Sequence, residues 1–242
     1  MNMNINEKKF NQYVDNQNLN FINRYLHSIR YKYVYQIIKD YQKSTERKIN
    51  IVDIGCGHAH LFEVLNSSFN IEYYGIEKSL TFVDHLETKK KKNNNFNFIH
   101  DYAQGQSKLF KWADVIISLE TLEHIPDDQI TNLIIEIGKV KPDIFFSSVP
   151  NEVGPIIWIK NIYSLLINYD RHKEYNLKDT FFSGIGMFHL VREHAAGHRG
   201  FDWRKLYKLI NKNYQVSEIL TSPYNFVPKI LSPSIYFVCK NK

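Results

Sequence analysis

Cysteine is nearly missing from this chain: its 242 residues include two, Cys56 and Cys239. A disulfide-stapled scaffold needs more, so the sequence predicts a reducing, cytoplasmic setting. Long hydrophobic runs are missing too. No stretch of about 18 apolar residues occurs, which argues against a transmembrane helix. The apolar run IIWIKNIYSLLI, from Ile156 to Ile167, is too short to span a bilayer and is expected to pack on the core or close a pocket, with a lipid-linked substrate or a second subunit as the alternative it would meet. MNMNINEKKF at the N-terminus holds no apolar signal core, so export by a signal peptide is not expected. Prolines and glycines are few, 7 and 10. They form no linker, and no internal repeat is present, so a single domain over residues 1–242 is expected.

Acidic residues fall short of basic ones, 25 against 31, for a formal net charge of +6. A basic balance points to nucleic acid only when the charge is clustered. The clear cluster, Lys89 to Lys92 before Asn93 to Asn95, reads as a solvated loop between a helix and a strand. Nucleic acid is therefore the second choice of partner, behind a small-molecule or carrier-linked substrate.

What the chain does have is rhythm. Phe21 to Tyr41 predicts a helix within an N-terminal segment, residues 1–48. Short apolar runs predict strands at Ile49–Ile54, Tyr73–Ile76, Phe96–Ile99, Asp114–Leu119 and Ile144–Val149. Helical patterns begin near Leu61, Leu80 and Asp127. Strands alternating with helices across residues 49–150 predict a doubly wound α/β fold with a mostly parallel, seven-stranded sheet. Residues 151–200 break the alternation. They are long against the usual connection of about 2–6 residues and are expected to form a lid insertion. Asp202 predicts an N-cap for a helix from Trp203 to Ile210. Tyr214–Leu220 and Ser234–Cys239 then close residues 201–242 as strands.

The first strand runs into IVDIGCGHAH, where Gly55 and Gly57 flank Cys56. A phosphate loop would need a following Gly-Lys-Ser/Thr, and none is present. A dinucleotide turn wants a third glycine where His60 stands. A nucleoside without a pyrophosphate, its amino-acid tail across the turn, is the remaining reading.

With Asp53, Gly55 and Gly57, and Ala59 where a third glycine would stand, the stretch resembles the first motif of the class I S-adenosylmethionine-dependent methyltransferases. The resemblance covers Ile49 to Asn151 well and the last strands loosely. It implies a Rossmann-like methyltransferase fold and S-adenosylmethionine as cofactor. It implies Glu77, in YYGIEKS, on the ribose hydroxyls, and Asp101, in FIHDYA, on the adenine amino group with Tyr102 beside the ring. Cys56 and Leu119 complete the expected cofactor contacts. ADVIISLETLEHIPDD and SSVPN resemble the ubiquinone-type O-methyltransferase branch.

Methyl transfer to a hydroxyl needs a base or a metal. His124, just past the fourth predicted strand, is the expected base, with Glu120 bordering the acceptor. Glu120, Glu123 and His124 stand at i, i+3 and i+4, which on one helical turn would share a face and could hold a divalent metal. The small-RNA 3′-terminal 2′-O-methyltransferases resemble this stretch, and the likeness implies such a metal. They also place a histidine before a Phe-acid-Trp segment. HRGFDWRKL offers His198 there, with an extra glycine, while that family's paired histidines and proline-rich motif are not evident. His189, His194 and His198 are candidate substrate contacts.

The expected function is S-adenosylmethionine-dependent O-methylation of a sugar, polysaccharide precursor or quinone-like compound. A metal-dependent RNA 2′-O-methyltransferase is the second reading, and a non-catalytic cofactor-binding protein of the same fold the third.

Overall fold

The computed structural model describes residues 10–11, 21–166, 175–191 and 198–241. The chain divides into two compact units, Met1–Leu119 with Pro142–Phe146 and Glu120–Lys141 with Ser147–Lys242.

In the first unit, α1 (Phe21–Ser44) precedes β1 (Ile49–Ile54), α2 (His60–Asn66) and β2 (Ile71–Glu77). A 3₁₀ turn at Leu80–Phe82 leads into α3 (Val83–Lys92), then β3 (Phe96–His100), α4 (Ser107–Trp112) and β4 (Val115–Leu119). β1 reads INIVDI and is buried along nearly its whole length, as an interior parallel strand should be. It pairs in parallel with β2 on one side and β4 on the other, setting Asp53 opposite Gly75 and Ile117. β2 pairs in parallel with β3. Phe62, Tyr73 and Phe96 meet ring to ring at 4.9–5.6 Å, forming the aromatic centre of this unit's core.

At the other end of β1, Arg47 grips Asp114 through two hydrogen bonds of 2.8 and 2.6 Å. Asp114 also accepts the Asn50 N–H. Asp114 therefore ties the start of β1 and lies outside β4, which begins one residue later than expected. The sequence reading missed α4. Six residues, SKLFKW, with only Phe110 buried, are too few for a helical period to register.

In the second unit, α5 (Asp127–Val140) buries Ile130, Leu133, Ile134 and Ile137, the stripe its spacing predicted. β5 (Ile144–Pro150), whose residues up to Phe146 belong to the first unit, is followed by α6 (Ile156–Leu166), α7 (Leu177–Gly184) and a 3₁₀ turn at Phe188–Leu190. Then come α8 (Trp203–Asn213), β6 (Val216–Thr221) and β7 (Ser234–Lys240). Asp202 caps α8 as predicted, accepting the Arg204 N–H at 2.9 Å. Tyr214, expected to open a strand, instead closes α8: its N–H donates to the Ile210 carbonyl. Gly138 lets α5 and α8 touch, because a Cβ there would lie 2.7 Å from the Asn213 carbonyl oxygen. β6 and β7 are antiparallel. Among the described residues, 151–200 thus contain the helices α6 and α7. Trp158 of α6 lies against Gly184 of α7 and donates from Nε1 to the Thr180 carbonyl at 3.1 Å.

The strands hydrogen-bond in the order β3-β2-β1-β4-β5-β7-β6, the expected seven-stranded, mostly parallel sheet. The order reverses between β1 and β4. In open α/β sheets ligands bind beyond the carboxyl ends of the strands at such a reversal. No helix among the described residues is long and apolar enough to cross a membrane.

Candidate active site

The bend after β1 is held by backbone and by one lysine. Gly55 and Cys56 donate their N–H groups to the Ile76 carbonyl at 2.8 and 3.1 Å. Gly55 and Gly57 have φ of 72° and 55°, angles open to glycine at little cost. Ala59 takes φ 55° as well, although an L residue there costs roughly 1–2 kcal/mol. Lys89 reaches in from α3 and donates to the His58 carbonyl at 2.7 Å, the Ala59 carbonyl at 3.1 Å and the Glu63 carboxylate at 2.7 Å. All three ammonium protons are used. The cluster read as a solvated loop is therefore the end of a helix, and its first lysine braces the glycine bend.

Glu77 ends β2 and is buried. One carboxylate oxygen accepts the Gly57 N–H at 2.9 Å, and the other accepts the Ser79 N–H at 2.7 Å. The acid thus faces the bend. Its carbonyl accepts the Asp101 N–H at 3.2 Å, which sets Asp101 beside it. The Asp101 carboxylate accepts from the Tyr102 N–H at 2.7 Å and from Gln106 Nε2 at 3.1 Å. Tyr102 is exposed, with the Lys78 ammonium 5.9 Å from its ring centre.

Asp53 lies under the bend and accepts a hydrogen bond from the Tyr73 hydroxyl. Burial pushes the Asp53 carboxyl up to about 7, while the Tyr73 hydrogen bond and the charge of Arg30 pull the other way. Arg30 comes from α1 and is itself buried. Cys56 turns its sulfur against Gly75, where a Cβ would lie 2.5 Å away. Burial raises its thiol pKa well above the ordinary value.

In the second unit, Glu120 adopts φ 50°, and its N–H donates to the Ser148 carbonyl and hydroxyl at 3.0 and 3.1 Å. This left-handed residue precedes a single 3₁₀ turn, Leu122–His124. The helical turn expected to align Glu120, Glu123 and His124 on one face is therefore not formed. Glu123 is fully buried, and its carboxylate lies 3.8 Å from His124 Nε2. The His124 side chain is half exposed. Its ring meets the His198 ring edge to face, with centroids 5.2 Å apart.

The structure therefore assembles Asp53, Gly55, Cys56, Gly57, Glu77 and Asp101 in one neighbourhood, and Glu123, His124 and His198 in another. Leu119 ends β4. His189 is exposed on its 3₁₀ turn, and His194 lies outside the described residues. Among the described residues, no three His, Cys, Asp or Glu side chains converge as a bound ion would require. Sequence reasoning missed Arg30, Tyr73 and Lys89. Tyr73 carried the one usable signal: on a parallel neighbour of β1 it shares the face of Asp53.

Three comparisons bear on this geometry. A family model described as a methyltransferase domain matches residues 25–179, more than half of the chain. The small RNA 2′-O-methyltransferase of Drosophila melanogaster is 26% identical over 162 residues, covering 62% of this chain and 41% of that protein. The chain thus spans less than half the length of this relative. The methyltransferase domain of bacterial CtHen1-CN superposes with a TM-score of 0.62 at 14% identity, covering 89% of this chain and 100% of that one. The magnesium protoporphyrin IX methyltransferase ChlM of Synechocystis PCC 6803, solved with bound SAH, gives 0.63 at 14% identity, covering 98% and 96%. The plantazolicin methyltransferase BamL, in complex with a triazolic desmethylPZN analog and SAH, gives 0.59 at 17% identity, covering 98% and 91%. At these identities the likeness is one of fold.

Proposed function

Because the chain belongs to the methyltransferase-domain family, we propose that it transfers the methyl group of S-adenosylmethionine to a hydroxyl oxygen of a small or carrier-linked metabolite. The observation that carries this reading is the buried Glu77 carboxylate, turned onto the glycine bend by the Gly57 and Ser79 N–H groups. Each of its oxygens spends one lone pair on backbone and keeps another for a ribose hydroxyl. Asp101, whose carboxylate is oriented by Gln106, accepts from the adenine amino group in this reading. Arg30 brings a buried cation close enough to lower the Asp53 pKa, and such a cation suits the carboxylate of an amino-acid tail. These residues fit the cofactor chemically.

Bound S-adenosylmethionine supplies an electrophilic methyl group on a sulfonium, so the protein's main task is alignment to within about 3–3.5 Å. His124 takes the acceptor's hydroxyl proton. Its half-exposed ring can reach a substrate. Glu123, buried 3.8 Å away, stabilises the imidazolium that forms. Glu120 borders the acceptor. The segments ETLEHIPDD and SSVPN support a place near the ubiquinone-type branch, and the two free, buried cysteines are consistent with a reducing cytoplasm. Calorimetric titration with S-adenosylhomocysteine tests the reading, and an absence of binding by the folded chain rejects it.

A second reading has a specific observation behind it. The ring contact of His124 with the distant His198 unites two of the four residues, Glu120, Glu123, His124 and His198, expected of an RNA 2′-O-methyltransferase. The Drosophila relative supports this acceptor class. Among the described residues these side chains do not converge as a three-ligand group. RNA affinity that falls steeply with salt, together with activity lost to a chelator, would favour this reading. Activity indifferent to chelator would remove it.

A further inference from the structure

We propose that Lys89 is a positioning residue for cofactor binding. It stands in for the third glycine that the bend lacks, holding Ala59 in a left-handed conformation so that Gly57 stays on Glu77. This rests on the reading of the bend as the cofactor's seat and does not depend on the acceptor.

Among the described residues, the non-glycine residues with positive φ are Ala59, Glu120 and Lys141. Lys141 follows the end of α5, where a left-handed residue is common. Ala59 instead precedes α2, with φ 55°, ψ 46° and no side-chain cap. Alanine has no polar group to offset that conformation, whereas glycine adopts it freely. Strain of this kind persists only where the surroundings impose it.

Lys89 imposes it. The Ala59 N–H donates to the Cys56 carbonyl at 2.8 Å, and the Lys89 ammonium takes the carbonyls on either side of the Ala59 Cα, those of His58 and Ala59. The two peptide planes that define φ and ψ of Ala59 are thus tied to one nitrogen, on a side chain only 13% exposed. Other gains do not account for a cation here. The N-terminus of α2 disfavours positive charge, and the Glu63 partner is exposed, where an ion pair contributes little. The link to the cofactor runs through Gly57, which precedes His58 and donates its N–H to Glu77 at 2.9 Å. Relaxation of Ala59 to the right-handed region would turn the His58–Ala59 peptide and draw that N–H off the carboxylate.

The test compares Lys89→Met, Ala59→Gly and the double variant. By calorimetry, Lys89→Met should weaken S-adenosylhomocysteine binding at least about tenfold, the scale of lost charge-assisted hydrogen bonds. In the Ala59→Gly background, where the left-handed conformation needs no support, the same change should cost less than about threefold. Amide hydrogen exchange of the unliganded chain, read by mass spectrometry on peptides spanning residues 55–63, needs no cofactor. Lys89→Met should speed it at least about tenfold and leave β3 peptides unchanged, and Ala59→Gly should restore it. Glu63→Gln, which keeps both carbonyl bonds, should match the wild type in both measurements. The proposal is overturned if Lys89→Met binds and exchanges as the wild type does, if Ala59→Gly does not suppress its losses, or if Glu63→Gln loses as much. If Lys89→Met alone does not fold, the double variant should, and its failure to fold equally overturns the proposal. A wild-type chain that binds no S-adenosylhomocysteine rejects the proposed function instead, and exchange then decides whether Lys89 holds the bend.

Discussion

Glu77 accepts the N–H of Gly57 at 2.9 Å, joining the end of one strand to the bend after its neighbour. Local sequence cannot produce this bond. It exists because β1 and β2 run parallel in a register that sets Ile54 opposite Ile76, which brings the two carboxyl ends level.

The first prediction concerns that bond. Glu77→Gln keeps the side chain's shape but replaces one acceptor oxygen with a donor and removes the charge. S-adenosylhomocysteine affinity, measured by calorimetry, should fall roughly tenfold to a hundredfold, the scale of a charge-assisted hydrogen bond. Unchanged affinity would mean that the ribose lies elsewhere.

His124→Ala should leave S-adenosylhomocysteine affinity unchanged and lower kcat for a hydroxyl acceptor by roughly 10²–10⁴, the usual share of a general base. Radiolabelled methyl transfer, with acceptor fractions screened first on the wild type, reads the difference. A variant as fast as wild type would strip His124 of its role.

Packing behind the bend gives a stability prediction. A Cβ at Gly75 would stand 2.5 Å from the Cys56 sulfur, so Gly75→Ala should destabilise the chain by roughly 1–3 kcal/mol, the usual cost of overpacking. Adding Cys56→Ala removes the clashing sulfur and should recover part of the loss. Urea unfolding of the two single variants and the double variant gives the coupling, and additive losses would refute the contact.

One buried and one half-buried group pull the pH dependence in opposite directions. Burial, helped by the charge of Lys89, lowers the His58 pKa from 6.5 to about 4. The unfolded chain then binds the extra proton, so this contribution to stability is present above pH 6.5 and lost as pH falls toward about 4. The Asp53 carboxyl is raised from 3.8 to about 7, so its contribution is full below pH 3.8 and lost as pH rises through about 7. In chemical denaturation against pH, His58→Asn should flatten the acid limb. Asp53→Asn should flatten the rise in instability toward neutral pH.

Both cysteines should resist alkylation in the folded chain. Burial raises the Cys56 thiol well above its ordinary pKa and the Cys239 thiol to about 12, which leaves little thiolate at neutral pH. Mass spectrometry after iodoacetamide should show no adduct natively and two in urea. Rapid native labelling of Cys56 would show that the bend opens.

Much of this was legible in the residue order, for definable reasons. β1 was predicted to the residue, because a buried parallel strand ending at glycine leaves a continuous apolar signal. The α5 stripe and the Asp202 cap were equally plain, since periodicity and capping are local. α4 was too short to carry a period. The helical face for Glu120, Glu123 and His124 failed because the left-handed backbone at Glu120 leaves no trace in a non-glycine residue. Lys89 looked like one of four solvated lysines, and only the fold shows it reaching the two carbonyls just before α2.

The sequence by itself determined the alternation of strands and helices, the glycine bend and the acids at the strand ends, because these follow from backbone freedom and the spacing of apolar residues along the chain. Only the tertiary structure decided that Tyr73 and Arg30 attend Asp53, that Lys89 braces the bend, and that His198 meets His124. Those relations join residues far apart in the chain, and it is strand register and helix packing that bring them within reach.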